Sequence, residues 1–169
     1  MGRFLKFVPK PVESEFTKSL MAESLFDPAA MPVHGFFDNF RFLSNFHLAP
    51  VIMDGLTFKT AEHAFMYQKS TDPEYHQQIL EAKTPATAKR LGKKCVLRPD
   101  WDSYRTEAMY RAVSAKFKDP WLALKLEETG TAFLEETNTW KDTYWGVCNG
   151  LGKNMLGRIL MRVRSELQK

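Results

Sequence analysis

The chain has 169 residues, 44% of them hydrophobic and 26% charged, with a formal net charge of +4, an ordinary composition at the length of one globular domain. At this size roughly 70% of the unfolded chain's surface is buried on folding, so a full core needs neither disulfides nor a structural metal. Disordered and fibrous classes are excluded, and the longest uncharged run, the 12 residues Phe42 to Met53, falls short of the roughly 18 apolar residues of a membrane span.

Lys6 stands where a myristoylation signal wants Ser or Thr, and no apolar stretch near it suits a signal peptide, so the expectation is a cytoplasmic protein that does not engage a membrane. Cys95 and Cys148 lie far apart without CxxC spacing, which predicts reduced thiols and no zinc site.

Residues 1–33 carry four prolines, four basic and four acidic residues, with no sustained periodicity beyond a helix around Phe16 to Phe26, and read as an N-terminal extension. From His34 to residue 169 dense aromatics and clear helix punctuation predict one compact domain. Thr60 is suited to cap a helix reaching about Ser70. Asp72-Pro73 and Thr84-Pro85 each set a capping residue before a proline at the first helical position, with Gly92 closing the second of those helices. Trp101, Tyr104, Ala108, Ala112 and Ala115 draw one apolar helix face that ends before Asp119-Pro120. A further helix is predicted from Trp121 to Glu128. The last, from about Asn154, is expected to bury Leu156, Ile159, Leu160, Val163 and Leu167 and expose Arg158 and Arg162. Strand candidates are Gly35–Phe37, Val51–Met53 with Thr57-Phe58 across an Asp54-Gly55 turn, Thr131–Leu134 and Tyr144–Val147. The fold class is therefore α+β, mainly α, with a small irregular sheet and several loops converging on one pocket.

Charge is uneven. Residues 83–118 are net +7 and residues 143–169 net +4, which suits an anionic ligand such as phosphate or nucleic acid but also an ordinary solvated helix surface. No P-loop, GxGxxG, HExxH or GxSxG motif occurs. Glu62 and Lys69, seven residues apart, share one wall with Phe65 and Met66 between them. This is either an acid/base carboxylate and an amine in an aromatic pocket, or a dipole-favoured Glu and a snorkelling Lys. Trp101, Trp121, Trp140 and Trp145 with five phenylalanines between Phe36 and Phe46 are more than a small core requires, and such rings stack planar bases. Ser44-Asn45-Phe46 reads as a turn or as polar groups set in a pocket. Glycines 146, 150 and 152 before Asn154 suggest a loop whose backbone N–H groups cradle a phosphate at a helix N-terminus, with Lys153 adding charge.

Taken together, Phe42-Leu43-Ser44-Asn45-Phe46, Thr60-Ala61-Glu62-His63 with Gln68-Lys69, Trp101 ahead of Met109 and Lys116-Phe117, Asp142-Thr143-Tyr144-Trp145-Gly146 and Gly152-Lys153-Asn154-Met155-Leu156-Gly157 resemble the NADAR family, also called YbiA-like. The resemblance spans about residues 34 to 167. It implies a single YbiA-like domain and a cofactor-free, metal-independent N-glycosidase that cleaves ribose from the exocyclic amine of a base. Two substrate branches are implied: phosphorylated ribosylamino-pyrimidines of riboflavin synthesis, and ADP-ribosylated guanine, free or in toxin-modified DNA. Carried over by position, Glu62 is implied as acid/base and Lys69 as a phosphate-stabilising or Schiff-base amine. Asp142 is implied to stabilise an oxocarbenium-like sugar, and Asn45, Phe46, Trp101, Trp145, Gly146 and Asn154 to form the substrate pocket. One departure stands out: Val147 follows Trp-Gly where some members carry an acidic residue, so that either Asp142 or Glu136 supplies that charge or the substrate differs. The competing reading is a non-catalytic binder of ADP-ribose, NAD or modified nucleic acid that uses the 83–118 basic segment.

Overall fold

Several helix starts are written locally and form where capping chemistry places them, while the two longest helices begin without a side-chain cap. A computed structural model describes residues 12–169, so the beginning of the expected extension lies outside the described residues. Its elements are α1 (Glu15–Ala22), β1 (Val33–His34), a 3-10 turn (Asp38–Leu43), β2 (Val51–Met53), β3 (Leu56–Phe58), α2 (Ala61–Tyr67), α3 (Pro73–Glu81), α4 (Pro85–Gly92), α5 (Trp101–Lys116), α6 (Pro120–Glu127), β4 (Leu134–Glu135) and α7 (Met155–Leu167). The side chains of Thr60, Asp72, Thr84 and Asp119 each accept an N–H of the following turn, bonds typically worth about 1 kcal/mol apiece. Pro73, Pro85 and Pro120 each follow their cap, where a missing N–H costs nothing.

The fold is mainly α, α+β, with two small two-stranded sheets: β2 and β3 form an antiparallel hairpin, while β1 pairs in parallel with β4. Asp54 and Gly55 both take positive φ in the hairpin turn, as a two-residue turn matched to strand twist requires. The other strands are shorter than the sequence suggests. Gly35 turns the chain with φ +81°, so the first strand is Val33–His34 rather than Gly35–Phe37. Thr131–Leu134 contributes only its last residue to β4, and Tyr144–Val147 only an isolated bridge from Val147 to Thr137.

The short helix α2 sits at the centre, packed among α3, α4 and α5, and its residues Ala61 to Met66 are all buried. Such a helix must be apolar on every side, which makes Glu62 and His63 exceptions needing an account. His63 is structural: Nδ1 pairs with the Thr60 hydroxyl at 2.8 Å and Nε2 with the Ala82 carbonyl at 3.1 Å, while burial pushes its pKa down.

The α1 helix packs on α5 and α7 and ends at Ala22, four residues before the expected end. The residues expected to be exposed on α7 are half-buried in holding it: Arg158 donates to the Met21 carbonyl, and Arg162 pairs with Glu23 and Glu166. Leu167 is only half-buried. Arg164, which the sequence does not single out, is almost wholly enclosed and donates to Thr129 Oγ1 and to the carbonyls of Leu25 and Ala132.

Candidate active site

A cavity of about 820 Å³ opens beside α2, lined by that helix, α4, α5, the 3-10 turn and its following loop, and the segment from Glu136 to Trp145. Of the residues predicted for the site, Asn45, Phe46, Glu62, Lys69, Trp101, Asp142 and Trp145 line it; Gly146 and Asn154 do not.

Glu62 is brought to the wall by the Thr60 cap, and its own N–H donates to the Asn45 carbonyl at 3.1 Å. The residue is 6% exposed. Burial pushes its pKa up to about 7, with Asp142 adding to the rise while Lys89 and Lys69 oppose it. Removing a carboxylate from water favours its neutral form, and a value near 7 is what proton transfer in either direction calls for. Lys69 lies just beyond α2, where Nζ donates to the Gly92 carbonyl at 2.7 Å and sits 5.7 Å from the Trp101 ring. Burial lowers its pKa.

The aromatic wall is continuous. Phe65 lies between Trp101 at 5.4 Å and Trp145 at 5.2 Å, ring centre to ring centre. Asp142 Oδ1 accepts the N–H groups of Tyr144 and Trp145, a turn that holds the backbone of Trp145 from three residues away. Ser44 and Asn45 divide the two readings of their tripeptide. Ser44 Oγ accepts the Phe46 N–H and makes the turn, whereas buried Asn45 donates to Met109 Sδ and leaves Oδ1 without a partner among the described residues. Lys116 holds that loop from beneath, donating to the carbonyls of Phe42 and Ser44. Full burial, reinforced by Arg41, pushes its pKa down to about 7.

The expected phosphate cradle before α7 is not open. The N–H groups of Lys153, Asn154, Met155 and Leu156 donate to the carbonyls of Thr143, Gly146, Tyr144 and Trp145, and Lys153 pairs with Glu13. A helix N-terminus whose donors are already taken has none left for an anion. Asn154 works instead as a brace: Nδ2 donates to the Leu134 carbonyl and Oδ1 accepts the Glu136 N–H. Gly146 makes room, because a Cβ there would lie 2.2 Å from the Glu136 carbonyl oxygen. Gly146→Ala is therefore expected to destabilise the fold by about 1–3 kcal/mol through overpacking, a loss that urea unfolding would register as a lower midpoint.

Cations are supplied from elsewhere. Lys89, Arg90 and Lys93 on and after α4, Arg41 in the 3-10 turn and Arg105 on α5 all line the cavity. The net charge of residues 83–118 signalled all of these but Arg41, and the spacing 86, 89, 90, 93 places Ala86 and three cations on one helical face. Lys89 lies near the rings of both Phe46 and Trp140; Trp140 is 59% exposed at the cavity. Arg105 stacks on Tyr144 at 3.7 Å. Glu136 also lines the space, and Val147 N–H donates to its carbonyl at 2.8 Å.

Comparison with known proteins adds an independent line. A family model described as the NADAR domain matches residues 26–168. The N-glycosidase YbiA of Shigella flexneri is 39% identical over 134 residues, spanning 77% of this chain and 83% of that protein. A riboflavin biosynthesis protein of Vibrio vulnificus is 38% identical over 136 residues, which are 78% of this chain and 37% of that one. The NMR structure of the Escherichia coli protein YbiA is similar with a TM-score of 0.75 and 34% identity, across 82% of this chain and 88% of the other.

Proposed function

This chain belongs to the NADAR family, and from that premise we propose that it is an N-glycosidase, hydrolysing the bond between the C1 carbon of a phosphorylated ribose and the exocyclic amine of a planar base. The observation that carries this reading is the Glu62 carboxyl, enclosed at an aromatic wall and poised near neutrality, within a cavity lined by six cationic side chains. Each part of such a substrate has a counterpart. The base and ribose lie against Trp101, Phe65 and Trp145, with Phe46 beside them. Asn45 Oδ1 accepts a sugar hydroxyl or amine N–H. Lys89, Arg90 and Lys93 hold phosphate, and Lys69 adds an amine beside Trp101. Asp142 offers negative charge to the positive sugar carbon that develops as the C–N bond breaks.

A ribosylamino-pyrimidine phosphate satisfies this inventory, in keeping with the name of the Vibrio riboflavin biosynthesis relative. ADP-ribosyl-guanine is a second substrate reading, favoured by the cavity's volume, by more cations than one phosphate needs, and by exposed Trp140 at its edge. The test is to incubate the protein with each compound, the second both free and in DNA, and to follow base release by chromatography. Release from one alone selects that branch. Release from DNA should fall steeply with added salt, because phosphate contacts displace counterions. If ADP-ribose binds but no base is released from any of them, the protein is a binder and the enzyme reading fails.

A further inference from the structure

We propose that Glu136 is a second catalytic carboxyl of this site, the acid that protonates the departing amine nitrogen while Glu62 activates the attacking water. The assignment rests on the N-glycosidase reading and divides the proton chemistry between two residues.

Glu136 lies just after β4 and lines the same cavity as Glu62. Its Oε2 is enclosed and has no hydrogen-bond partner among the described residues. A buried carboxyl oxygen left so is costly to the fold, and such a group calls for an explanation outside folding. Its backbone, by contrast, is held on both sides. The N–H donates to Asn154 Oδ1 at 3.0 Å, and the carbonyl accepts from Val147 at 2.8 Å. A Cβ on Gly146 would meet Glu136 Cγ at 2.9 Å, so the glycine leaves space for the acidic side chain itself. The neighbouring residues thus hold the backbone beneath a carboxyl whose enclosed oxygen has no partner among the described residues, the arrangement expected of a preorganised functional group.

The charges around the two carboxyls separate their roles. Glu136 is faced by the carboxyls of Asp142 and Glu62 and by the ammonium groups of Lys89 and Lys116; burial and the two acids prevail and raise its pKa to about 7. Glu62 is faced by Lys89, Lys69 and Asp142, and by Glu136 in turn. At Glu62 the two ammonium groups weigh more than Asp142, whereas at Glu136 the two carboxyls weigh more than the cations, so Glu62 is the one to carry the negative charge and Glu136 the one to keep the proton. Where two titrating carboxyls share a site, such a division identifies base and acid.

In the resulting step a water oxygen bonds to the sugar C1 and gives a proton to the Glu62 carboxylate. The C1–N bond breaks with its electron pair passing to nitrogen, and that nitrogen takes the Glu136 proton. The products are the free amine of the base and a ribose bearing a C1 hydroxyl. Glu62 ends protonated and Glu136 ionised, and exchange with solvent restores both.

The test compares wild type with Glu136→Gln on the substrate that wild type cleaves and on 4-nitrophenyl riboside 5-phosphate, whose leaving group departs as an anion without a proton. Glu136→Gln should lower kcat on the amine substrate by about 100-fold or more, with KM within about threefold because the proton is given only in the transition state. The loss on the nitrophenyl compound should be under about tenfold, and the alkaline limb of the kcat profile should disappear. Glu62→Gln should impair both substrates alike. Should Glu136→Gln fail to fold, Glu136→Asp, with its carboxyl drawn back by one methylene, carries the same comparison. An unchanged kcat, or equal losses on both leaving groups with the alkaline limb retained, overturns the assignment. A wild type that releases base from nothing overturns the N-glycosidase reading itself, and the assignment with it.

Discussion

Glu62→Gln is expected to lower kcat by about 1,000-fold, within the range that positioned acid/base groups contribute, while the affinity for substrate changes by no more than a few fold. Glutamine keeps the size and one carbonyl oxygen of the buried side chain, so the aromatic wall of Trp101, Phe65 and Trp145 and the cations of α4 still bind. What is lost is a group able to exchange a proton, and that loss is felt only as the transition state forms. Single-turnover base release paired with calorimetric titration separates the two quantities. A parallel loss of binding would mean that Glu62 is a recognition residue; an unaffected rate would remove it from the chemistry.

The second large effect is on stability, and its sign follows from three buried groups. Glu62 and Glu136 hold their protons up to about 7 in the folded chain, against an ordinary value of 4.5. Between these limits the folded state binds more protons than the unfolded one, so stability falls as pH rises from 4.5 to about 7 and changes no further from this cause. Lys116 acts over the next interval. It releases its proton near 7 when folded and near its ordinary 10.5 when unfolded, so stability rises with pH between those values. Together the three groups weigh on the fold most heavily around neutrality, where the site is poised to work. Glu62→Gln should therefore be more stable than wild type at pH 7.5, by about 3 kcal/mol for a fully buried shift of this size, and the advantage should vanish below pH 4.5. Urea unfolding at pH 4.5, 6 and 7.5 measures it; a difference that does not vary with pH would show that the carboxyl ionises freely in the folded chain. This is the familiar opposition between stability and a desolvated active site.

Much of the site was legible beforehand, though for differing reasons. Glu62 follows from a helix whose cap is local, whereas Lys69, expected on that helix, lies two residues past its end at Tyr67 and reaches the same cavity from the turn that closes it. Trp101, Trp145, Asp142, Asn45 and Phe46 came from the family resemblance, and all five reach the cavity. Gly146 and Asn154 belong to the same motifs but serve one step back, by seating Glu136. The expected phosphate cradle is not there: glycines before a helix look alike whether or not the N–H groups of the helix start are taken, and here the carbonyls of residues 143–146 take those of Lys153, Asn154, Met155 and Leu156. Trp140 and Arg105 were marked only broadly, one among many aromatics and the other within a basic segment, and only the meeting of loops with α4 and α5 puts them in the cavity.

The sequence by itself determined where the helices begin and which faces turn inward, because caps, prolines and apolar periodicity act within a few residues of the positions they govern. It also carried enough of the family's scattered motifs to point to ribosyl chemistry. The proton affinities of Glu62, Glu136 and Lys116, and the choice of α4 rather than the α7 terminus to supply positive charge to the cavity, were decided only by tertiary structure. Desolvation and the nearness of charges depend on which segments the fold brings together, and no spacing along the chain records that.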